Sequence, residues 1–311
     1  MNKTRKVTLT PVHDISEYMH HSKIVSCSQG PHVNEYYILF IDEEPQRIDG
    51  MFVQSKTDKP HDYRILTIKN DTYTEVYLPK QKYNYHFVQP MGDDQLILVG
   101  ARCRYYSENN FEKNGKIIDY YGVKKDEILL GDGIQTIQSS KNSTLWTGYF
   151  DEGVFGNYGW NEPVGAPGLI AWNRKGEVIY KNTSFDICDC YALNVISDDE
   201  VWFYYYTDFQ LVRLYQQQHE TYNPKISGAS GFLVYCNYFL FDKGYGKHSK
   251  YVLLQMKSNG SMKELCEVTL VNETGELIQS AYRDFRGDTV LIRENHLIYR
   301  LRLSDLIQTL V

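Results

Sequence analysis

The chain has 311 residues, of which 42% are hydrophobic and 23% are charged, and its formal net charge is −6 at pH 7. This length allows a large buried core, and the negative charge disfavours a nucleic-acid backbone as partner because phosphates are neutralised by Lys and Arg. The N-terminus has no apolar run of signal-peptide length, and no segment has the roughly 18 apolar residues of a membrane helix. We therefore expect a cytoplasmic protein with no membrane partner.

The residue pattern is that of an all-β protein. Long amphipathic helical patterns are nearly absent, and short runs rich in Val, Ile, Tyr, Leu and Phe recur between Gly, Asn and Asp. The chain also has 27 Tyr, a residue enriched in half-buried strands. No linker or low-complexity segment divides the sequence, so we predict a single domain over residues 1–311.

In chain order, an isolated strand at residues 6–10 precedes a series of repeated hairpins. Four hairpins share one geometry, in which an apolar residue precedes another by eight positions across a polar turn. The four pairs are Val88 and Leu96, Ile137 and Leu145, Leu193 and Val201, and Tyr282 and Val290. Two looser hairpins lie at residues 24–40 and 231–241.

One or two further strands follow most of these hairpins, which gives three to four strands every 40 to 60 residues. This spacing is typical of the blades of a β-propeller. About six blades fit the chain, and a seventh would require a unit that the pattern does not reveal. Pairing of the N-terminal strand with the last blade would close the ring and remove its open edge.

The antiparallel order of strands in a blade predicts which loops share a face. The loop between the second and third strands lies on the same side as the connection to the next blade. The longest such loop lies in the Gly-rich, aromatic-rich segment 145–172. Because loops on rigid scaffolds often carry function, we predict a ligand-binding face there, formed by Arg102, Arg104, Asp151, Glu152, Asn157, Trp160, Asp189, Tyr206 and Asp208.

Four of these residues are carboxylates that could together bind a divalent cation. Ca²⁺ prefers carboxylate and carbonyl oxygens, and the candidate metal ligands are Asp151, Glu152, Asp189 and Asp208. The spacing matches no dedicated calcium loop. The alternative is that these acids are solvated or paired with Arg102, Arg104 or Arg293.

Other motifs favour structural roles. Cys188 and Cys190 lack the second cysteine pair that a zinc site requires, and the six Cys of a cytoplasmic protein are expected to be thiols. The glycines of segment 145–172 form neither phosphate-binding pattern, GxxxxGK[ST] or GxGxxG. The HExxH and GxSxG motifs are also absent.

Residues 146–157 (WTGYFDEGVFGN), 189–194 (DCYALN) and 205–209 (YYTDF) resemble a group of uncharacterised bacterial propeller-like proteins. The resemblance covers roughly the middle third of the chain. It implies a propeller fold and implies that the Asp151–Glu152 loop belongs with the segments of Asp189 and Asp208. It implies no activity. Six-bladed lactonase-like hydrolases that use acidic residues and a metal are similar only in architecture.

Two functions are compatible with these features. The first is a binding or scaffold protein whose long-loop face takes a protein, a peptide or a glycan, since aromatic side chains suit such surfaces. The second is a metal-assisted hydrolase or lyase, in which a cation held by the four carboxylates activates water or polarises a carbonyl. We favour the first, because the aromatic loop comes without a catalytic motif.

Overall fold

The structure is a computed structural model that describes residues 4–47, 53–279 and 282–309. The protein is an all-β, six-bladed β-propeller, as its sequence predicts. The chain forms two compact units. We call His20–Cys190 the central unit, and Met1–Met19 with Tyr191–Val311 the terminal unit. A single domain over the whole chain stays a prediction.

The N-terminus forms two strands and a 3₁₀ helix. They are β1 (Thr4–Thr8), β2 (Pro11–Asp14) and the helix Ser16–Tyr18.

The central unit contains blades 1 to 3. Blade 1 has strands β3 to β6 (Lys23–Gln29, Glu35–Ile41, Lys56–Lys69 and Thr72–Tyr83). Blade 2 has β7 (Phe87–Pro90), β8 (Gln95–Val99), β11 (Gly115–Asp119) and β12 (Lys124–Ile128), with the inserted hairpin β9 (Tyr105–Ser107) and β10 (Asn110–Phe111). Blade 3 has β13 (Ile134–Ser139), β14 (Leu145–Tyr149), β15 (Leu169–Trp172) and β16 (Val178–Lys181), with helix α1 (Asp151–Phe155) after β14.

The terminal unit contains blades 4 to 6, apart from the first two residues of β17. Blade 4 has β17 to β20 (Asp189–Val195, Glu200–Tyr206, Gln210–Tyr215 and Gln218–Tyr222). Blade 5 has β21 to β24 (Phe232–Tyr235, Tyr238–Asp242, Lys250–Met256 and Met262–Val271). Blade 6 has β25 to β27 (Tyr282–Arg286, Thr289–Glu294 and Leu297–Arg302), followed by helix α2 (Leu303–Gln308).

The N-terminus completes the last blade, although with a different strand from the one predicted. Strand β2 pairs antiparallel with β27 of blade 6. The predicted strand at residues 6–10 overlaps β1, which instead pairs in parallel with β24 of blade 5. Leu9 continues this pairing through its backbone N–H to Val271 O (2.8 Å) and is buried in the core of the terminal unit. Pro11 can then begin β2, because the first position of a strand tolerates the missing N–H.

Burial along each blade explains the composition of its strands. The second strand of blade 1, β4, is buried at every position and has the sequence EYYILFI. A strand buried on both faces is expected to be a nearly continuous apolar run. The outer strand of blade 2, β12, has the sequence KKDEI and is largely exposed. Charged outer strands protect an exposed sheet edge from pairing with other chains.

Both compact units have their own apolar clusters. In the central unit, one cluster contains Leu39 and Leu98 and another contains Ile97 and Trp172. In the terminal unit, corresponding clusters form around Leu253 and Trp202. Among the described residues, no helix is long and apolar enough to cross a bilayer.

Candidate functional site: a groove on the central unit

The loops between the second and third strands of blades 1, 2 and 3 form a groove. Their described parts, within residues 42–55, 100–114 and 150–168, line two cavities of about 660 and 430 Å³. The cavities share Gln54, Arg104 and Tyr106 as lining residues and are therefore neighbours. We call the two cavities together the groove. The smaller cavity is lined by Gln54, Arg102, Arg104, Tyr105, Tyr106, Glu152, Asn157, Tyr158 and Gly159.

The blade 3 loop is fixed against the blade 2 insertion by close backbone contacts. The Tyr105 N–H donates to Tyr158 O at 3.0 Å. Gly159 has a φ of +91°, and a Cβ at this position would lie 2.2 Å from Tyr105 O. Only glycine combines this left-handed backbone with so close an approach. The loop geometry therefore depends on Gly159.

Trp160 fixes the same loop through contacts with the blade 2 insertion. Its indole Nε1–H donates to Cys103 O at 2.7 Å, and its ring centroid lies 4.9 Å from that of Tyr105. The side chain is buried. Trp160, a predicted ligand-binding residue, is thus placed to position the groove wall.

Helix α1 brings Glu152 to the groove. The Phe150 N–H donates to Gly133 O at 2.9 Å, which fixes the start of the helix. A Cβ on Gly153 would lie 2.5 Å from Asp132 O, so the helix packs directly on the backbone of residues 132–133. The Gly-rich segment is therefore a helix-containing loop that packs closely, and only some of its glycines have positive φ, among them Gly156 and Gly159.

Arg102 is a buried cation whose charge is fully compensated. Its Nε and Nη2 donate to the two carboxylate oxygens of Asp132 at 3.0 and 2.9 Å, and its Nη1 donates to Glu152. The guanidinium also lies 4.1 Å from the ring centroid of Tyr158. A buried charge requires such partners, because desolvation is otherwise costly. Arg102 and Glu152 thus line the smaller cavity as an ion pair.

Arg104 has a different environment. Its Nη2 donates to Gln54 Oε1 at 3.0 Å, and its guanidinium carbon lies 4.8 Å from the ring centroid of Tyr158. The residue is half-buried. In the described part of the chain, no carboxylate lies within salt-bridge distance of Arg104.

Glu112 holds the wall that both cavities share. Its carboxylate, which is buried, accepts bonds from the Arg104 N–H at 2.9 Å and the Tyr106 hydroxyl at 3.1 Å. Lys56 Nζ lies 3.4 Å from the same carboxylate. This charge-assisted network fixes the backbone of Arg104 and the ring of Tyr106 at the groove surface.

Asp151 and Asp189 lie near each other in the central unit. Asp189 Oδ1 is buried and has no hydrogen-bond partner among the described residues. Burial, together with the charge of Asp151, raises the pKa of Asp189 to about 7. Asp151 Oδ1 accepts the Glu152 N–H at 2.7 Å.

The four predicted metal ligands do not form a cluster in the described part of the chain. No group of three or more His, Cys, Asp or Glu side chains is arranged there to hold a metal ion. Glu152 is engaged by Arg102, and Asp208 belongs to the terminal unit, where it is exposed in the turn after β18. Metal binding stays a prediction from sequence.

Tyr206 also belongs to the terminal unit, where it joins a group of exposed and half-buried rings. Its ring lies 6.2 Å from Tyr191 in a stacked arrangement and 5.4 Å from Phe209. The hydroxyls of Tyr191 and Tyr245 lie 2.6 Å apart. We call Tyr191, Tyr206, Phe209 and Tyr245 the tyrosine surface.

The sequence predicts Arg102, Arg104, Glu152 and Asn157 of the groove as site residues, whereas Gln54 and Glu112 were not predicted. The hairpin of blade 1, like that of residues 231–241, lacks the polar turn of the other four hairpins, and no site residue was predicted in the loops of blade 1. The signal was the length of residues 42–55 and 100–114, which far exceeds a tight turn. Long connections in a compact domain are commonly functional.

Comparisons with known proteins support the fold and bring no activity. The YxzG family model matches residues 165–301. This part of the chain is similar to the YxzG family. The match includes residues 189–194 and 205–209, where the sequence resembles uncharacterised propeller-like proteins, and it begins after the groove residues of blades 1 to 3. The chain has no significant match among curated protein sequences.

Solved structures with similar folds include WD40-repeat and β-propeller domains. The WD40 repeats of RRP9 align with 91% of this chain and 81% of their own at 10% identity and a TM-score of 0.52. Virginiamycin B lyase from Staphylococcus aureus aligns with 94% of this chain and 98% of its own at 12% identity and a TM-score of 0.47. The β-propeller domain of Myceliophteria thermophila Cps50 (Swd1) aligns with 90% and 83% at 11% identity and a TM-score of 0.49. The alignment with RRP9 supports the propeller fold and no particular function, since the identity is low.

Proposed function

We propose that this protein is a binding protein whose groove takes an extended peptide segment of a partner protein. The observation that carries the proposal is the groove itself, which crosses the loops of three consecutive blades and is fixed by close backbone contacts. A rigid, preformed site lowers the entropic cost of binding. Ligand sites on scaffolds of this kind are built from loops held by rigid sheets.

The chemistry of the lining fits a peptide. Tyr105, Tyr106 and Tyr158 provide aromatic faces, and Gln54 and Asn157 provide amide groups that can pair with a peptide backbone. Tyr106 is largely exposed, so its ring is available for contact. Rigid aromatic groups beside adaptable polar groups are typical of protein-recognition surfaces.

The test is a selection from a random peptide display library on the full-length protein, followed by measurement of Kd for the enriched peptides. We expect a consensus sequence whose affinity falls at least tenfold in Tyr106→Ala, since an aromatic contact at the centre of an interface contributes about 2 kcal/mol or more. The control is Tyr121→Ala, because Tyr121 is 91% exposed in the turn between β11 and β12 and does not line the groove. Enriched peptides that bind both variants equally well contradict the proposal.

A second candidate is glycan binding at the tyrosine surface of the terminal unit. Tyr206 is exposed beside the stacked ring of Tyr191, and exposed Asp208 follows it closely in sequence. Exposed aromatic rings with a neighbouring acid are suited to sugar rings and their hydroxyls. Binding to a glycan array that is lost in Tyr206→Ala and kept in Tyr106→Ala supports this candidate, and an array without any bound glycan refutes it.

We also propose that the protein acts in the cytoplasm, apart from membranes and nucleic acid. The six Cys residues, all within the described part of the chain, are not joined by disulfides, which suits a reducing compartment. The net charge of −6 supports the proposal that nucleic acid is not a partner. Fractionation of cells that express the tagged protein tests the location directly.

A further inference from the structure

We propose that Arg104 binds a carboxylate of the peptide ligand, so that the groove selects peptides that present a carboxylate there, from an acidic side chain or from the C-terminus. This inference rests on the proposed function and specifies its ligand. It starts from the charges that line the groove, because a half-buried cation in a binding site is informative only when its neighbours are accounted for.

The other cations of the groove already have carboxylate partners. Lys59 pairs with Glu43, Lys56 lies 3.4 Å from Glu112, and Arg102 is compensated by both Asp132 and Glu152. His61 Nδ1 lies 3.1 Å from Asp42 Oδ1. Within residues 4–47, 53–279 and 282–309, Arg104 is the groove cation without such a partner.

The acidic residues of the groove are placed so that they do not strongly repel an anion in the smaller cavity. Its one acidic lining residue is Glu152, which forms a salt bridge with Arg102, a cation that Glu152 shares with Asp132. The acids without a cation partner, Glu44 and Asp58, are exposed and line only the larger cavity. Water and salt screen exposed charges effectively. An anion beside Arg104 in the smaller cavity therefore meets one carboxylate among the lining residues, and Arg102 holds that carboxylate in a salt bridge.

The remaining lining groups of the smaller cavity offer hydrogen-bond donors. A guanidinium has five N–H donors, and the one side-chain bond of Arg104 within the described residues goes to Gln54 Oε1. Asn157 uses its Oδ1 to accept the Tyr158 N–H at 2.7 Å, which leaves its amide N–H₂ as a donor at the cavity wall. Donors of this kind complement an oxyanion.

The orientation of Arg104 is fixed before any ligand arrives. Its backbone N–H is held by Glu112, its guanidinium packs over Tyr158, and Gln54 fixes one terminal nitrogen. A planar, preorganised guanidinium matches the two oxygens of a carboxylate. A single uncompensated positive charge also suits a monovalent carboxylate better than a phosphate dianion.

The experiment uses small probes and NMR chemical-shift titration of the full-length, ¹⁵N-labelled protein. N-acetyl-L-phenylalanine represents a C-terminal carboxylate, and the α-amide of N-acetyl-L-glutamic acid represents an acidic side chain. The neutral controls are N-acetyl-L-phenylalanine amide and N-acetyl-L-glutamine amide. Inorganic phosphate is the third class of probe.

We expect at least one acidic probe to bind with a Kd at least tenfold lower than its neutral amide, with shifts at groove residues. Arg104→Gln should abolish this preference, and Arg104→Lys should keep part of it, since the charge remains and the planar fork is lost. Arg174→Gln is the matched control, because Arg174 pairs with Asp94 on the exposed surface and lines neither cavity. The two arms of acidic probes distinguish a terminal from a side-chain carboxylate.

The inference is overturned if each neutral amide binds as tightly as its acid, if Arg104→Gln keeps the preference while folded, or if phosphate binds more tightly than both carboxylates.

The two proposals can fail separately. A peptide consensus that needs Tyr106 but neither an acidic residue nor a free C-terminal carboxylate retains the peptide-binding function and refutes the role of Arg104. Carboxylate binding through Arg104 without any peptide consensus retains the anion site and refutes the peptide function.

Discussion

The two compact units differ in how they connect the second and third strands of their blades. In the central unit these connections are long, at residues 42–55, 100–114 and 150–168. In the terminal unit they are short, at residues 207–209, 243–249 and 295–296. The long connections pack against one another and form a groove, whereas the short ones leave side chains such as Tyr206 to project directly from a strand end.

This difference also determines what stabilises each surface. The groove is stabilised by buried charge pairs and close backbone contacts, with Arg102 and Gly159 as the main examples. The tyrosine surface is stabilised by ring packing and by the hydroxyl pair of Tyr191 and Tyr245. Breaking a buried ion pair of the groove should therefore cost more stability than breaking a partly exposed ion pair of the terminal unit.

Arg102→Met is expected to have the largest effect. Removing the guanidinium leaves Asp132 buried without its bidentate partner, and such losses cost about 3–5 kcal/mol. The control is Arg213→Met in the terminal unit, where the pairs with Glu200 and Glu220 are partly exposed and contribute about 1 kcal/mol or less. Urea denaturation measures both, and equal losses would remove the contrast between the units.

The stability of the protein should also fall in acid because of His86 in the central unit. Burial lowers the pKa of His86 to about 4, and its Nδ1 accepts the Ala101 N–H at 3.1 Å. The unfolded chain binds a proton near pH 6.5, so this contribution is present above pH 6.5 and is lost as the pH falls towards 4, by an amount on the order of 3 kcal/mol.

His86→Asn tests this pH dependence, because the amide oxygen can accept the same N–H without titrating. Urea denaturation from pH 7 to pH 4 should show the free energy of unfolding of the wild type falling relative to that of the variant. His32→Asn, at an exposed position, controls for the general effect of losing a histidine. Parallel curves for wild type and His86→Asn would show that His86 does not titrate on unfolding in this range.

Gly159→Ala and Gly246→Ala together separate the cost of a close contact from the cost of backbone strain alone. At Gly159 the added Cβ meets Tyr105 O at 2.2 Å with φ at +91°, whereas at Gly246 in the terminal unit φ is +68° with no atom within 4 Å. A left-handed backbone costs a non-glycine residue about 1–2 kcal/mol, so Gly246→Ala should show that loss and Gly159→Ala a larger one. Thermal denaturation measures both, and the affinity of selected peptides should fall in Gly159→Ala alone.

The propeller could be predicted from sequence because its signal is local and repeated. Strands in the six hairpins, including the loosely matched residues 24–40 and 231–241, follow from apolar runs around short turns, and all six hairpins are present. The N-terminal pairing was predicted only in part, since alternation marks β1 as a strand without indicating that its partner is β24 rather than β27.

The groove was less accessible to sequence analysis because its defining contacts are between distant residues. The pairing of Arg102 with Asp132 and Glu152, and the contact of Gly159 with Tyr105, depend on how two loops pack. Pairing with Arg was the predicted alternative to metal binding for the acidic residues, and Glu152 forms such a pair with Arg102. The sequence does not distinguish Arg102, which forms salt bridges, from Arg104, which lies two residues later and forms none within the described residues.

Divalent cations are expected to have the smallest effect. Glu152 is engaged by Arg102, and a pKa raised to about 7 leaves the Asp189 carboxyl about half protonated at pH 7, so two of the four predicted ligands are less available to a cation. A ligand that binds only the folded state must raise the melting temperature. We therefore expect shifts within about 1 °C at millimolar Ca²⁺, Mg²⁺, Mn²⁺ or Zn²⁺ relative to chelator-treated protein. A larger shift that disappears in Asp151→Asn with Asp189→Asn would instead support the metal-assisted hydrolase or lyase, and would place its cation beside the groove of the central unit.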